Sequence, residues 1–132
     1  MKTFRAFGPT LGKSKLSKKI IASLNNYVEN SHISKKNDYS SKLASQIKSE
    51  IKIPHSFVKK NLSKELIKNI KNYLEKSDVT KIKEVKIINL WVVKQFKNEY
   101  NPIHYHDGQL SGVGYLQIPK NMNQNKLVKN KK

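Results

Sequence analysis

The spacing of apolar residues predicts two amphipathic helices. In residues 14–29, apolar side chains recur every three or four positions, which places them on one helical face opposite lysines. Residues 55–77 follow the same period, and Pro54 marks the start of this second helix because proline ends the element before it. Residues 30–41 are polar, break the pattern and predict a connector between the helices.

Two further segments have the character of β-strands. Residues 43–53 fit a helix or a strand, and we favour a strand in the second half because its isoleucines alternate with polar residues. Residues 85–96 are rich in β-branched side chains and bounded by charge. They predict a strand that is buried on both faces and lies centrally in a sheet.

The remaining residues continue this sheet. Residues 103–106 are predicted to be extended and residues 110–118 to form a strand, with a turn at Gly108 between them. Helices therefore precede strands, which is an α+β order, and the predicted sheet is only beginning where the sequence ends. We expect residues 1–120 to form part of one domain and residues 121–132, rich in Lys and Asn, to form a disordered tail.

Composition excludes several classes of protein. The chain has 132 residues, of which 36% are hydrophobic, and a mean hydropathy of −0.70, so its core is modest. Apolar runs fall far short of the roughly 20 residues that span a membrane, and the first ten residues lack the apolar part of a secretory signal. We therefore expect a cytoplasmic protein without a membrane partner. The absence of cysteine excludes disulfides, thiolate catalysis and cysteine-based zinc sites.

The net charge of +18 first suggests a nucleic-acid partner. However, 26 of the 27 basic residues are lysine, whereas phosphate and base recognition favours the forked guanidinium of arginine. The lysines are spread along the chain beside 14 Asn and 13 Ile, and all three residue types have AT-rich codons. We interpret the charge as a coding bias that gives nonspecific polyanion binding at low salt. A noncatalytic basic module for nucleic acid or acidic protein is the alternative.

The candidate chemistry lies at His104 and His106. On an extended segment, residues two apart project from one face with roots about 6 to 7 Å apart. Imidazole suits iron, zinc, copper and nickel, so the pair predicts two ligands of one metal ion. The alternative is two partly exposed histidines that bind backbone beside a turn, and spacing alone favours that interpretation.

Other candidate residues have simpler interpretations. We interpret His32 in the connector and His55 after Pro54 as solvent-facing histidines. Glu50 and Glu99 are either carboxylate ligands or solvated charges at strand ends. The tryptophan of the apolar strand is predicted to belong to the core.

Residues 91–119 carry an ordered motif. Its members are Asn101, Pro102, His104, His106, Gly108, Ser111, Gly112, Val113, Tyr115, Leu116 and Pro119. The motif resembles a family of Fe(II)- and 2-oxoglutarate-dependent oxygenases that is common in tailed phages and marine bacteria, and the likeness covers roughly residues 7–121. It implies a jelly-roll core (a double-stranded β-helix) with helices packed at its start, an iron ion near a strand end and 2-oxoglutarate as cosubstrate.

The resemblance also implies roles for individual residues. His104 and His106 stand at the first metal-binding pair, and Ser111 and Tyr115 on the next strand would line the cosubstrate pocket. The wider superfamily has His-x-Asp here, so His106 replaces the carboxylate. Asp107 is one residue further on and becomes a third ligand only if the turn begins early.

The family's distal histidine and cosubstrate-binding arginine are missing after His106. We therefore expect a truncated chain that binds Fe(II) weakly and turns over little 2-oxoglutarate alone, with an unknown substrate. Because strand edges would stay unpaired, we expect a marginal fold that forms a homo-oligomer or needs a second chain to complete the barrel. A remnant without a function of its own is the third hypothesis.

Overall fold

The computed structural model describes residues 1–5, 8, 10–31, 47, 49–79 and 81–119. The helices and strands within these ranges, in chain order, are β1 (Lys2–Arg5), β2 (Thr10–Lys13), α1 (Lys18–Asn30), β3 (Ser49–Lys52), α2 (His55–Asn61), α3 (Ser63–Lys76) and β4 (Trp91–Lys94). β1 pairs with β2 and β3 pairs with β4, both antiparallel. This mixture of helices and small antiparallel sheets confirms the predicted α+β class.

The first predicted helix is confirmed as α1. It begins later than predicted because the Ser17 side chain accepts a hydrogen bond from the backbone N–H of Ile20 at 3.3 Å and caps the helix. At the other end, Ser31 donates its backbone N–H to Tyr27 O at 2.9 Å. The apolar face predicted from spacing is the buried one, with Ile20, Leu24 and Val28 inward.

The second predicted helix is divided into α2 and α3 at Leu62, whose backbone (φ −122°, ψ −35°) departs from helical values. The Ser63 hydroxyl donates to Lys59 O at 2.9 Å and the Asn61 side-chain amide donates to Phe57 O at 3.1 Å. Side chains that bond back to the preceding turn in this way bend helices. Sequence spacing missed the break because the apolar period continues across it.

The core lies where α1 meets α2 and the end of β3. It consists of Ile20, Leu24, Ile53, Val58 and Leu62. Half-buried side chains pack around it, among them Tyr27 and Phe57, whose ring centroids lie 4.6 Å apart. Leu62, at 1% exposure, is one of the most deeply buried side chains described, so the junction between α2 and α3 is anchored in the core.

The β3–β4 ribbon ties the helices to the later part of the chain. The predicted strand in the second half of residues 43–53 is confirmed as β3, and Pro54 ends it before α2 as predicted. Ile51 lies opposite Val92 and Lys52 opposite Trp91. One more backbone bond, from Ile53 N to Leu90 O at 2.9 Å, extends the pairing.

One strand prediction is confirmed only in part and another is wrong. Of the strand predicted over residues 85–96, only β4 forms: residues 81–90 have no regular secondary structure, and β4 is half-buried in a two-stranded ribbon instead of buried in the centre of a sheet. Ile88, which the prediction buries, is 56% exposed. Residues 95–119 likewise contain no strand, including the predicted strand over 110–118. The physical reason is that a strand needs a hydrogen-bonded neighbour, and within the described ranges these segments find none beyond β3.

The β1–β2 hairpin was not predicted. Gly8 lies between its strands at φ 99°, a value that favours glycine. β2 rests on α3: Tyr73 donates its hydroxyl to Thr10 O at 2.7 Å, and a methyl group on Gly12 would lie 2.5 Å from Tyr73 Cδ2. Only glycine therefore fits under the tyrosine ring at this position.

A polar contact joins the start of α1 to α3. The backbone N–H of Ser17 donates to Glu65 Oε1 at 2.7 Å. Hydrogen bonding by Ser17, through its side chain and then its backbone, holds the pKa of the Glu65 carboxyl below its ordinary value, and Lys68 adds a smaller effect. The residue that caps α1 thus also fastens it to a helix 48 positions away in sequence.

Three predictions concern residues outside the described ranges: residues 32–41 of the polar connector, His32 within it, and the tail over residues 121–132. Asn30, predicted to begin the connector, is the last residue of α1. Among the helices of the described ranges, none has the length and apolar character needed to span a membrane.

We expect the substitution Leu62→Ala to lower the free energy of unfolding by about 2 to 5 kcal/mol, because it leaves a cavity between α2, α3 and α1. Urea denaturation measures the change. Leu11→Ala, which removes the same atoms from an exposed site in β2, is the control and should cost far less. Equal losses in the two variants would contradict the assigned core.

We expect Glu65→Gln to lower the melting temperature at neutral pH and to have less effect in acid. Because the folded pKa of Glu65 is depressed, its stabilisation is fully present above the unfolded pKa of about 4.3 and is lost as the pH falls through the lower folded pKa. Melting curves between about pH 3 and pH 7 measure this. Glu75→Gln, an equal charge change on the exposed side of α3, is the control, and a pH-independent difference for Glu65→Gln would refute the link.

Candidate metal site

A tight turn follows β4 and directs the chain toward the two histidines. Phe96 donates its backbone N–H to Glu99 Oε2 at 2.9 Å, and Glu99 donates its own to Phe96 O at 3.1 Å. Gln95 adds a side-chain bond to Glu99 O at 2.6 Å, and Asn98 takes φ 69°. Of the two predicted roles for Glu99, the structure thus shows neither a free strand-end charge nor a ligand near the histidines: its carboxylate closes this turn.

The structure brings the rings of His104 and His106 together. Their Nε2 atoms are 3.0 Å apart, and their rings meet edge to face with centroids 4.5 Å apart. Both side chains are exposed. Ile103 and Tyr105 are also exposed, at 105% and 91%. The two histidine rings thus lie together, as expected for residues two apart, although no strand forms and the chain bends at Ile103.

Hydrogen bonding fixes the tautomer of His104. Its Nδ1 lies 2.7 Å from Pro102 O, and because a carbonyl oxygen only accepts, Nδ1 carries the proton and donates. In the neutral ring, Nε2 then presents a lone pair toward His106, whose Nε2–H donates to it. Histidines that bind metal ions commonly donate the other ring nitrogen to a backbone carbonyl in this way.

Trp91 positions His106. Leu90, directly before β4, and Val92 in β4 pack on the core, so by alternation Trp91 between them faces the opposite side. Its ring lies 5.4 Å from the ring of His106, tilted by 44°. The prediction that tryptophan belongs to the core therefore misses its contact, because no sequence pattern links residue 91 to residue 106.

The separation of the two Nε2 atoms equals that of two imidazole ligands of one metal ion. Two imidazole nitrogens bound to one ion at about 2.1 Å and at right angles lie about 3 Å apart, but here the two atoms hydrogen-bond to each other, so the rings must turn before both lone pairs point at one ion. The pair is open to solvent, so an ion has a path to it. Imidazole donors suit iron, zinc, copper and nickel better than magnesium or calcium.

The other predicted site residues are not gathered around the pair. Among the described residues, no group of three or more His, Asp or Glu side chains is placed to hold a metal ion, and Asp107 is no exception. Ser111 and Tyr115 are exposed and make no hydrogen bond or ring contact with the histidines. Glu50 is 1% exposed in β3, which corrects its interpretation as a solvated charge. His55 is exposed at the start of α2, as predicted.

The fold and this pair define a small α+β chain with an exposed two-histidine site. A comparison with protein families shows that residues 89–132 match a family described as "Putative 2OG-Fe(II) oxygenase". The match contains both histidines and confirms the resemblance predicted from the motif. It begins at residue 89, later than the predicted likeness, and continues through residues 121–132, which the prediction left out. No curated protein and no solved structure matches the chain.

We expect neutral His104 to carry its proton on Nδ1, because Pro102 O holds it there. Nitrogen-15 NMR of the imidazole rings above about pH 8 distinguishes the two tautomers. His55 serves as the internal reference, because the structure records no such bond for it. Its exposed ring should show a mixture of the Nδ1–H and Nε2–H tautomers. A His104 spectrum that shows the Nε2–H form would contradict the assigned geometry.

Proposed function

We propose that this chain provides part of the iron site of an Fe(II)- and 2-oxoglutarate-dependent oxygenase, with His104 and His106 as two of the iron ligands. The observation that carries the proposal is the 3.0 Å approach of their Nε2 atoms within the segment that matches the oxygenase family. When bound, Fe(II) with 2-oxoglutarate supplies the oxygen chemistry that hydroxylates a substrate.

The chain's own residues prepare the ligands. Pro102 O holds the His104 proton on Nδ1 and so keeps the Nε2 lone pair available. His106 must move its proton from Nε2 to Nδ1 to bind through the same atom, and its exposed ring can exchange that proton with water. Trp91 limits the rotation of the His106 ring, because the two rings are in contact. The two histidines are thus oriented by the protein itself.

Part of the active site is proposed from the family likeness alone. Asp107 is the proposed third ligand, and it reaches the pair only if the turn at Gly108, now at φ 103°, rearranges. Ser111 and Tyr115 are the proposed cosubstrate-binding residues, and their hydroxyl groups are suitable donors to a carboxylate. A jelly-roll core is likewise the fold that we propose for the complete site, for which β3 and β4 would supply neighbouring strands.

We expect the full chain to bind Ni²⁺, an air-stable substitute for Fe(II), weakly and through the two histidines. Isothermal titration should show that His104→Ala and His106→Ala each weaken binding by about tenfold or more, since each removes one of two ligands. His55→Ala is the matched control and should leave the affinity unchanged. Succinate release from 2-oxoglutarate with Fe(II) should remain near background, because no third ligand is in place among the described residues.

If His55→Ala and His104→Ala weaken nickel binding equally, nickel associates with any exposed histidine. Robust succinate release by the full chain would show that two histidines are sufficient or that a third ligand moves into place. The first outcome contradicts the metal site, whereas the second contradicts only its incompleteness.

A further inference from the structure

The segment formed by residues 110–118, here called the apolar segment, contacts the body of the protein at Gly114 and Leu116. Leu116 packs against the core cluster, and a methyl group on Gly114 would lie 3.3 Å from Leu16 Cδ1. Val113 and Tyr115 are 85% and 70% exposed, and Leu110 and Ile118 near the two ends are also exposed. The segment thus contacts the protein at Gly114 and Leu116 and presents its other bulky apolar side chains to water.

The backbone of the apolar segment is also unpaired. Within residues 107–119 the structure records no hydrogen bond, so the backbone donors and acceptors along the segment are available to another strand. A stretch with free backbone groups and exposed apolar side chains can pair with a second strand by β-addition, and pairing would straighten the bend at Leu116. The exposed apolar side chains and the unpaired backbone groups thus belong to the same nine residues, 110–118.

The charge pattern identifies the kind of partner. The chain carries 26 lysines, yet residues 98–119 contain neither lysine nor arginine, and Lys97 and Lys120 stand directly at the two ends. An acidic protein or a nucleic acid would be drawn to the lysine-rich surfaces and would gain little here. Two copies of this cationic chain repel each other through their lysine-rich surfaces, and this repulsion is weaker along residues 98–119, whose only charged side chains are the acidic Glu99 and Asp107. The apolar segment, which itself carries no charge, is therefore a place where two copies can approach.

We propose that the apolar segment pairs with the same segment of a second copy to form an antiparallel, two-fold symmetric dimer. Antiparallel pairing about Gly114 places Val113 of each copy opposite Tyr115 of the other, and such aromatic pairs with β-branched residues stabilise sheets. The proposal does not depend on iron or on the proposed oxygenase function.

Sedimentation velocity of the full chain tests this dimer. We expect a monomer–dimer equilibrium that strengthens between about 0.15 M and about 1 M salt, because salt screens the repulsion between two cationic chains and leaves apolar contact intact. The double variant Val113→Lys/Tyr115→Lys should weaken dimerisation by about tenfold or more, since symmetry applies each change twice. Leu11→Lys/Val79→Lys adds the same charge at exposed apolar sites outside the segment and should dimerise more tightly than the first variant.

Hydrogen exchange provides a second measurement that does not depend on a variant folding. Amides in residues 110–118 should become more protected as protein concentration rises, while those of β1 and β2 should not change. A wild-type chain that stays monomeric at all concentrations and salts would overturn the proposal. Association that weakens as salt is added would also overturn the proposal, because salt weakens the association of cationic chains that a polyanion bridges. Equal dimerisation of the two double variants would place the interface elsewhere.

Discussion

The pairing of β3 with β4 is the constraint on which the candidate site depends. β3 leads through Ile53 and Pro54 directly into α2, so the position of β4 is set by the same core that holds the helices. Pairing also fixes which side of β4 each residue faces. Leu90 and Val92 are directed to the core, and Trp91 must then face outward toward His106. A shift of one residue in this register would exchange the two sides and remove the tryptophan from the histidine pair.

The sequence predicts the parts of this protein that depend on near neighbours. The helical period identifies the buried face of α1, and the rule for residues two apart predicts that His104 and His106 share a side. Strands depend on partners far away in sequence, so composition identifies a segment that can pair but not whether it finds a partner. This explains why most of the strand predicted over residues 85–96, and all of the strand predicted over residues 110–118, do not form. The contacts of Ser17 with Glu65 and of Trp91 with His106 are also distant and have no local signal.

The charge of the chain bears on both proposals. A net charge of +18 creates a positive potential that lowers the affinity of an exposed site for a divalent cation and raises it for a dicarboxylate. Ion pairing at the surface, such as Lys86 with Glu84 at 2.9 Å, is exposed and relieves little of this potential. An electrostatic setting of this kind favours the cosubstrate more than the metal. Tight iron binding therefore needs a carboxylate ligand, which supplies both a donor and a negative charge.

The histidine pair is held by local contacts, and this limits what it can do alone. Pro102 O orients His104, and Trp91 orients His106, so two ligands are arranged without a surrounding sheet. Asp107 follows His106 directly, and alternation turns it away from the pair, so it becomes a third ligand only if the turn at Gly108 rearranges. Otherwise a third ligand must come from a residue that a further strand brings near. Within the described part of the chain, the apolar segment has no paired strand and the candidate metal site has only two candidate ligands, and a neighbouring strand could supply what both lack.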